Sequence, residues 1–353
     1  MHTKTTTPKN DRFLKACRGE SVDCTPIWLM RQAGRYMPEY RALRDQHTIL
    51  EMIRTPELAA EVTMQPLRSF DLDAAIIFAD ILTLLDELGL GLRFIEGEGP
   101  VFDQPLRTAD DMKRMEPRPP AESLAYTLDA IHCTLDKLEN RIPLIGFSGA
   151  PYTLACYAIE GRGSRDFPGA KKVMYTDPEL WDQLMGLLAD QVGDYLVAQV
   201  EAGVHAVQLF DSWAGSLSPQ DYTRYVMPYS QRVYAKVRAC SDLPFIHFAT
   251  GSAGILKEIH QAAGTVTGVD WRIRIEEARK LIGPDVPVQG NLDPLVLLGP
   301  EDEIKRQAGA VLDAVKGQAG HIFNLGHGIH KTTDPGKVET LVDFVHAYSR
   351  RET

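Results

Sequence analysis

Residues 176–210 read TDPELWDQLMGLLADQVGDYLVAQVEAGVHAVQLF, and the pattern inside them is the unit from which the whole chain is built. Thr176-Asp177-Pro178-Glu179 reads as a Thr cap with a Glu three residues on, and Leu180, Leu184, Leu187, Leu188, Val192, Leu196 and Val200 then recur at helical spacing. Gly203 ends that pattern, and a short apolar run from Val204 to Phe210 follows. A long amphipathic helix feeding a short strand without alternation is the signature of a parallel sheet covered by crossover helices.

The same alternation extends in both directions. Candidate strands lie at 25–29, 74–78, 143–147, 204–210, 244–248, 266–270, 286–290 and 321–325. Thr55-Pro56-Glu57, Ser218-Pro219-Gln220 and Asp334-Pro335-Gly336 place a polar cap before a proline at the first helical position. Eight such strands in 353 residues predict an α/β fold of the (β/α)8 TIM-barrel kind. It is expected as a single domain over 12–353 behind a flexible N-terminal stretch, 1–11. A doubly wound open sheet is the competing architecture, but no Gly-x-Gly-x-x-Gly follows the first strand. The segment 80–142 is too long for one crossover. Leu90 to Phe102 predicts an inserted hairpin, followed by helices near 108–114 and 122–138.

Composition sets the outer bounds. With 38 basic against 48 acidic residues the formal charge is −10, which disfavours a general nucleic-acid or anionic-membrane surface. Positive charge for an anionic ligand must therefore be local. The five cysteines show neither an even disulfide framework nor a Cys-x-x-Cys pair, as expected of free thiols in the cytoplasm. No run approaches the ~20 apolar residues of a membrane span, and Met1-His2-Thr3-Lys4-Thr5 lacks the apolar core of a secretion signal.

Chemistry in such a barrel sits on the loops after the strand C-termini. The first of these is Met30 to Arg41, with Arg31, Arg35 and Arg41 around an Ala33-Gly34 pair. Arginine keeps its charge and offers a planar fork to a carboxylate, while the small pair lets main-chain N–H groups approach the same anion. The plainer reading is a solvated turn whose arginines pair with Glu39 and Asp45. Asp80 follows the second strand, and Gly149-Ala150-Pro151-Tyr152, leading to Tyr157, the third. Asp211-Ser212-Trp213, Thr250-Gly251-Ser252, Gln289 to Asp293 and Gly326-His327-Gly328 follow later strands. Each has a structural alternative: a helix cap for Asp80 and Ser212, a core aromatic for Tyr157, a carbonyl partner for His327. No His-Glu-x-x-His helix is present, and His247-Phe248-Ala249 carries no second ligand-type residue, so no metal is indicated.

The run Trp28 to Arg41 resembles the N-terminal signature of the uroporphyrinogen decarboxylase family, and Gly146 to Tyr157 with Glu160-Gly161 resembles its second signature. Ile77 to Leu82, Gln208 to Ser212, Gln289 to Pro294 and Asn324 to Gly328 follow in the family's order, so the resemblance runs from about residue 12 to about residue 345. It implies a homodimeric (β/α)8 enzyme without cofactor that converts the four acetate side chains of uroporphyrinogen III to methyls, giving coproporphyrinogen III and carbon dioxide. By the same resemblance Arg31, Gln32 and Arg35, with Ala33 and Gly34 between them, fall in the segment for substrate carboxylates. Asp80 falls at the pyrrole-contacting carboxylate, and Tyr157, Ser212 and His327 at further binding positions. Asp80 is expected to be ionised, its pKa held low by Arg31 and Arg35, and His327 to be able to carry charge. One departure is Asp270-Trp271-Arg272-Ile273-Arg274, more basic than the family pattern and assigned to a surface helix start. The rivals are a non-catalytic tetrapyrrole carrier and a cobamide-dependent methyltransferase of the same superfamily. The latter is expected to carry a His-x-Cys zinc pair where this chain has His247-Phe248-Ala249.

Overall fold

A computed structural model of the chain describes residues 7–351. In chain order its strands are β1 (Ala75–Ile76), β2 (Leu92–Ile95), β3 (Gly99–Phe102), β4 (Leu144–Gly149), β5 (Ala206–Asp211), β6 (Phe245–Ala249), β7 (Val266–Gly268), β8 (Val288–Gln289) and β9 (His321–Ile322). Seven of them form one sheet in the order β1-β4-β5-β6-β7-β8-β9, and β2 and β3 form a separate antiparallel pair. Every pairing in the large sheet is parallel, with Ala75 opposite Leu144, Ile145 opposite Ala206, Val207 opposite Phe245 and Val288 opposite His321.

The eighth predicted strand, 25–29, is reduced to a single parallel bridge between Ile27 and Phe323. Its carbonyls still close the ring. Pro26 O accepts from Phe323 N at 2.8 Å, and Ile27 O accepts from Asp73 N at 2.8 Å, just before β1. Two local causes shorten the ladder. Pro26 has no N–H to give, and Ile27 N donates to the Asp73 carboxylate at 2.7 Å instead of to a neighbouring strand.

The barrel is filled rather than hollow. Trp28, Met30, Ala74, Ile145, Ala206, Ile246, Phe248, Val266 and Ile322 meet inside it, with Phe13 and Leu14 of the helix Arg12–Cys17 in the same cluster. A polar layer crosses this core. Trp28 Nε1 donates to Gln289 Oε1 at 2.9 Å, and Gln289 Nε2 donates to Gln208 Oε1 at 3.0 Å, so these buried groups satisfy each other.

The helix Pro178–Glu201 covers the outside with Leu180, Leu184, Leu188, Val192 and Leu196 buried, while Leu187 and Val200 are only partly so. Its cap is Asp177, which accepts from Leu180 N at 3.1 Å; Thr176 is the last residue of the preceding helix, Pro168–Thr176. The cap therefore lies one residue later than the sequence pattern suggests. Ser218 and Asp334 cap as expected, accepting from Asp221 N and Gly336 N. The predicted hairpin is β2–β3, and the helices after it include Ala109–Met112 and Ala125–Leu138. Phe102 N donates to Gly161 O, so this insertion lies beside the end of the helix Pro151–Glu160. Residues 1–6 of the expected flexible stretch lie outside the described residues, but 7–11 are held in place. Lys9 N and Asn10 N donate to the carbonyls of Asn140 and Arg141, and Asn10 Nδ2 donates to Asp73. Among the described residues no helix is long and apolar enough to cross a membrane.

Candidate active site

The loop after Ile27 carries the cations. Arg31 takes the left-handed backbone conformation, φ 59°, which side chains other than glycine adopt at a cost of ~1 kcal/mol. Arg31 and Arg35 are exposed, and neither forms an ion pair among the described residues, so the alternative pairing with Glu39 and Asp45 is not made. Arg41 behaves differently: its guanidinium donates to Arg35 O at 3.0 Å and Tyr36 O at 2.9 Å, bracing the loop that presents the other two. The main-chain amides of Ala33 and Gly34 make no hydrogen bond among the described residues.

Gln32 does not face the mouth. It is 1% exposed, its Oε1 accepts from Leu29 N and its Nε2 donates to Ala74 O. Both ends of the amide tie the first stave to the start of the next, so the Gln32 side chain holds the arginine loop in place. A side chain placed between two arginines in sequence need not share their direction when the turn reverses between them.

Asp80 lies just beyond β1. One carboxylate oxygen accepts from Leu82 N at 2.9 Å, the turn-capping bond that competed with a chemical role, and the other has no hydrogen-bond partner among the described residues. Burial raises its pKa, against the Leu82 amide and the charge of Arg31. The expected depression is thus reversed, because one amide and one unpaired cation do not outweigh desolvation. Burial first raises the Tyr40 hydroxyl, and the charges of Arg44, Arg35, Asp80 and Arg31 all reach it, so these groups lie within electrostatic range of one residue.

Tyr157, on the helix Pro151–Glu160, is reached by two of these charges. Burial pushes its hydroxyl up to about 12, with Asp80 adding to the shift and Arg31 opposing it. Its ring lies 5.9 Å from Trp213 and 6.5 Å from Phe102 of the inserted hairpin. Ser212 and Trp213 follow β5 and are held from behind. Thr153 Oγ1 donates to buried Asp211 at 3.0 Å and accepts from Trp213 N. The Ser212 hydroxyl is half-buried and has no hydrogen-bond partner among the described residues.

The glycines flanking His327 have separate reasons. A Cβ at Gly328 would overlap the Arg31 side chain, and one at Gly326 would overlap the main chain of Trp271. His327 is pushed down to about 4 by burial first, then by the charges of Arg31 and Arg272. It is therefore neutral at physiological pH, which corrects the expectation that it could carry charge. Its ring stands edge-to-face with Trp271, centroids 6.4 Å apart. The segment Asp270 to Arg274 is consequently split. Arg274 begins a surface helix, Ile275–Ile282, as expected, but Trp271 and Arg272 stand at the mouth beside His327. Sequence reasoning assigns Trp271 and Arg272 to a surface helix start, and names Trp213 after its strand without giving it a role. The signal is position: all three follow strand ends.

Among the described residues no three His, Cys, Asp or Glu side chains are grouped to hold a metal ion. The model of the family described as uroporphyrinogen decarboxylase (URO-D) matches residues 8–348. A uroporphyrinogen decarboxylase from Roseiflexus sp. (strain RS-1) is 52% identical over 344 residues, covering 96% of this chain and 99% of the relative. One from Carboxydothermus hydrogenoformans is 48% identical, covering 96% and 97%. Among solved structures, a methyltransferase from Methanosarcina mazei superposes with a TM-score of 0.78 at 19% identity, over 97% of this chain and 99% of that one, a likeness of fold alone. With a family match across nearly its whole length, and relatives near half identity, the chain belongs to the uroporphyrinogen decarboxylase family.

Proposed function

We propose that this chain decarboxylates the four acetate side chains of uroporphyrinogen III to methyls, releasing coproporphyrinogen III and carbon dioxide. It acts as a single-domain, homodimeric, cytoplasmic enzyme without cofactor. The observation that carries the reading is the open Asp80 oxygen, half-buried beside Arg31, a cation that no protein carboxylate pairs among the described residues.

The roles follow from charge. Arg31 and Arg35, with the free amides of Ala33 and Gly34, take substrate carboxylates. A pyrrole N–H reaches Asp80. Protonation at a ring carbon makes that pyrrole an iminium-like cation. The bond from the acetate methylene to its carboxylate then breaks, carbon dioxide leaves, and the bonding electrons enter the ring. A proton delivered to the methylene carbon and loss of the ring proton complete the methyl group, so one proton is consumed per carbon dioxide released. Asp80 stabilises the cation, and the cation in turn favours the ionised carboxylate against the upward push of burial. Tyr157 and neutral His327 orient the substrate as hydrogen-bond partners, and Ser212 offers a hydroxyl with no internal claim on it. The inserted hairpin and Trp213 limit water at the Tyr157 side.

The test is anaerobic incubation with uroporphyrinogen III and a chelator, followed by chromatography of the oxidised products. A ladder of seven-, six-, five- and four-carboxyl porphyrins supports the reading. Tight binding without a ladder would make the chain a carrier, and loss of turnover on chelation would overturn the cofactor-free chemistry.

A further inference from the structure

The ring of staves runs from the Ile27 segment through β1, β4, β5, β6, β7, β8 and β9, which sets β7 four positions from β1 and therefore across the mouth from it. Asp80 extends from β1, and Asp270-Trp271-Arg272 extends from β7. Resting on the function proposed above, we propose that Arg272 binds a substrate carboxylate on the side of the macrocycle away from the pyrrole at Asp80.

The side chain is built for that position. Its guanidinium carbon lies 3.9 Å from the centroid of the Trp271 ring, a stacked arrangement that leaves the N–H edge outward. One nitrogen donates to Asp270 Oδ2 at 2.6 Å, while the side chain remains 47% exposed. Asp270 is buried and fixes the site from below: it also accepts from Gly251 N at 2.5 Å and Arg272 N at 3.0 Å. The carboxylate thus meets two main-chain donors of its own and takes only one edge of the fork. Trp271 is pressed in turn by Gly326 and meets His327 edge-on. A flexible surface arginine would have none of these constraints.

Physical size favours the assignment. A tetrapyrrole with one ring at Asp80 extends across the barrel mouth, and its peripheral carboxylates reach the far rim as anions that need a cation. Arg31 stands between the two sides, acting on both Asp80 and His327, so Arg272, stacked on Trp271 beyond His327, is the cation placed for the far rim.

The experiment measures KM and kcat of the full chain with uroporphyrinogen III, anaerobically, for the wild type, Arg272→Gln and Arg272→Lys, with a thermal melt of each. The inference expects Arg272→Gln to raise KM about tenfold with kcat within about twofold and an unchanged melt, because a charge-assisted contact far from the reacting carbon adds binding common to ground and transition states. Arg272→Lys, which keeps the charge and loses the fork, should recover most of the KM. An unchanged KM in Arg272→Gln overturns the inference. So does a Lys variant as impaired as the Gln variant with a lowered melt, since the residue would then serve only to hold Asp270 and Trp271. A wild type that yields no decarboxylated product overturns the function itself, a separate result from a normal wild type with an indifferent Arg272→Gln.

Discussion

Two aspartates, Asp73 and Asp80, flank the same short strand, the first buried and the second half-buried, and their surroundings differ in nearly every respect. Asp73 precedes β1 and is saturated. It accepts from Asn10 Nδ2 at 2.9 Å, Arg12 at 2.5 Å, Ile27 N at 2.7 Å and His346 Nε2 at 2.8 Å. Burial alone would raise its pKa, but the His346 bond and charge, with the Ile27 and Asn10 donors, bring it below the usual carboxylate range. Asp80 follows β1 and has one donor, Leu82 N, with Arg31 near but unpaired; there burial prevails and the pKa rises. A carboxylate whose lone pairs are filled by the fold belongs to the fold. One left short of donors, at the end of a barrel where loops converge, retains its capacity for a ligand.

The largest effect expected at the mouth, after loss of Asp80 itself, is from Arg31→Gln. It removes both a carboxylate ligand and the cation that restrains Asp80, and should lower kcat/KM about 10³-fold, ~4 kcal/mol, with the melt unaltered. A loss under tenfold would assign Arg31 to the solvent. At the other end of β1, Asp73→Asn should cost stability instead, ~3 kcal/mol by denaturant titration, because Arg12 and His346 lose a buried partner. The folded fraction should turn over normally; a kcat that falls with an intact fold would erase the distinction between the two aspartates. Gly328→Ala, which crowds Arg31 without touching its charge, should cost about ten- to thirtyfold in kcat/KM, and an unaffected enzyme would show that the arginine does not need its position.

The smallest effect sharpens the comparison through pH. Ionised Asp80 is the active form and its pKa is raised, so kcat/KM should fall on acidification through a value above the ordinary carboxylate range. His327 is already neutral above about 4, so His327→Gln should lower activity only a few-fold and leave that acid limb in place. Disappearance of the limb in the variant would transfer the titration to His327.

Much of this arrangement is legible before any coordinates. Parallel strands buried on both faces read as plain apolar runs, which is why all eight staves can be counted and why their far ends collect Arg31, Asp80, Tyr157, Ser212 and His327. What is not legible depends on partners distant in sequence. Nothing near Ile27 announces that its N–H is claimed by Asp73, 46 positions on, reducing a strand to a bridge. Nothing in the arginine loop distinguishes Gln32, whose amide turns inward to Leu29 and Ala74, from its neighbours. The sign of the Asp80 shift likewise requires the balance of burial against few donors. Trp271 and Arg272 are assigned to the surface because a charged stretch ahead of a helix ordinarily reads as a cap, and only the packing of Gly326 and His327 against Trp271 moves it to the mouth.

The most direct measurement is a paired anaerobic assay of Asp80→Asn, recording uroporphyrinogen III binding and product chromatography on the same preparation. The account predicts a native melt and retained binding through Arg31 and Arg35, with kcat lowered by about 10³-fold or more as the cationic ring loses its counter-charge. Turnover within about tenfold of the wild type would contradict it.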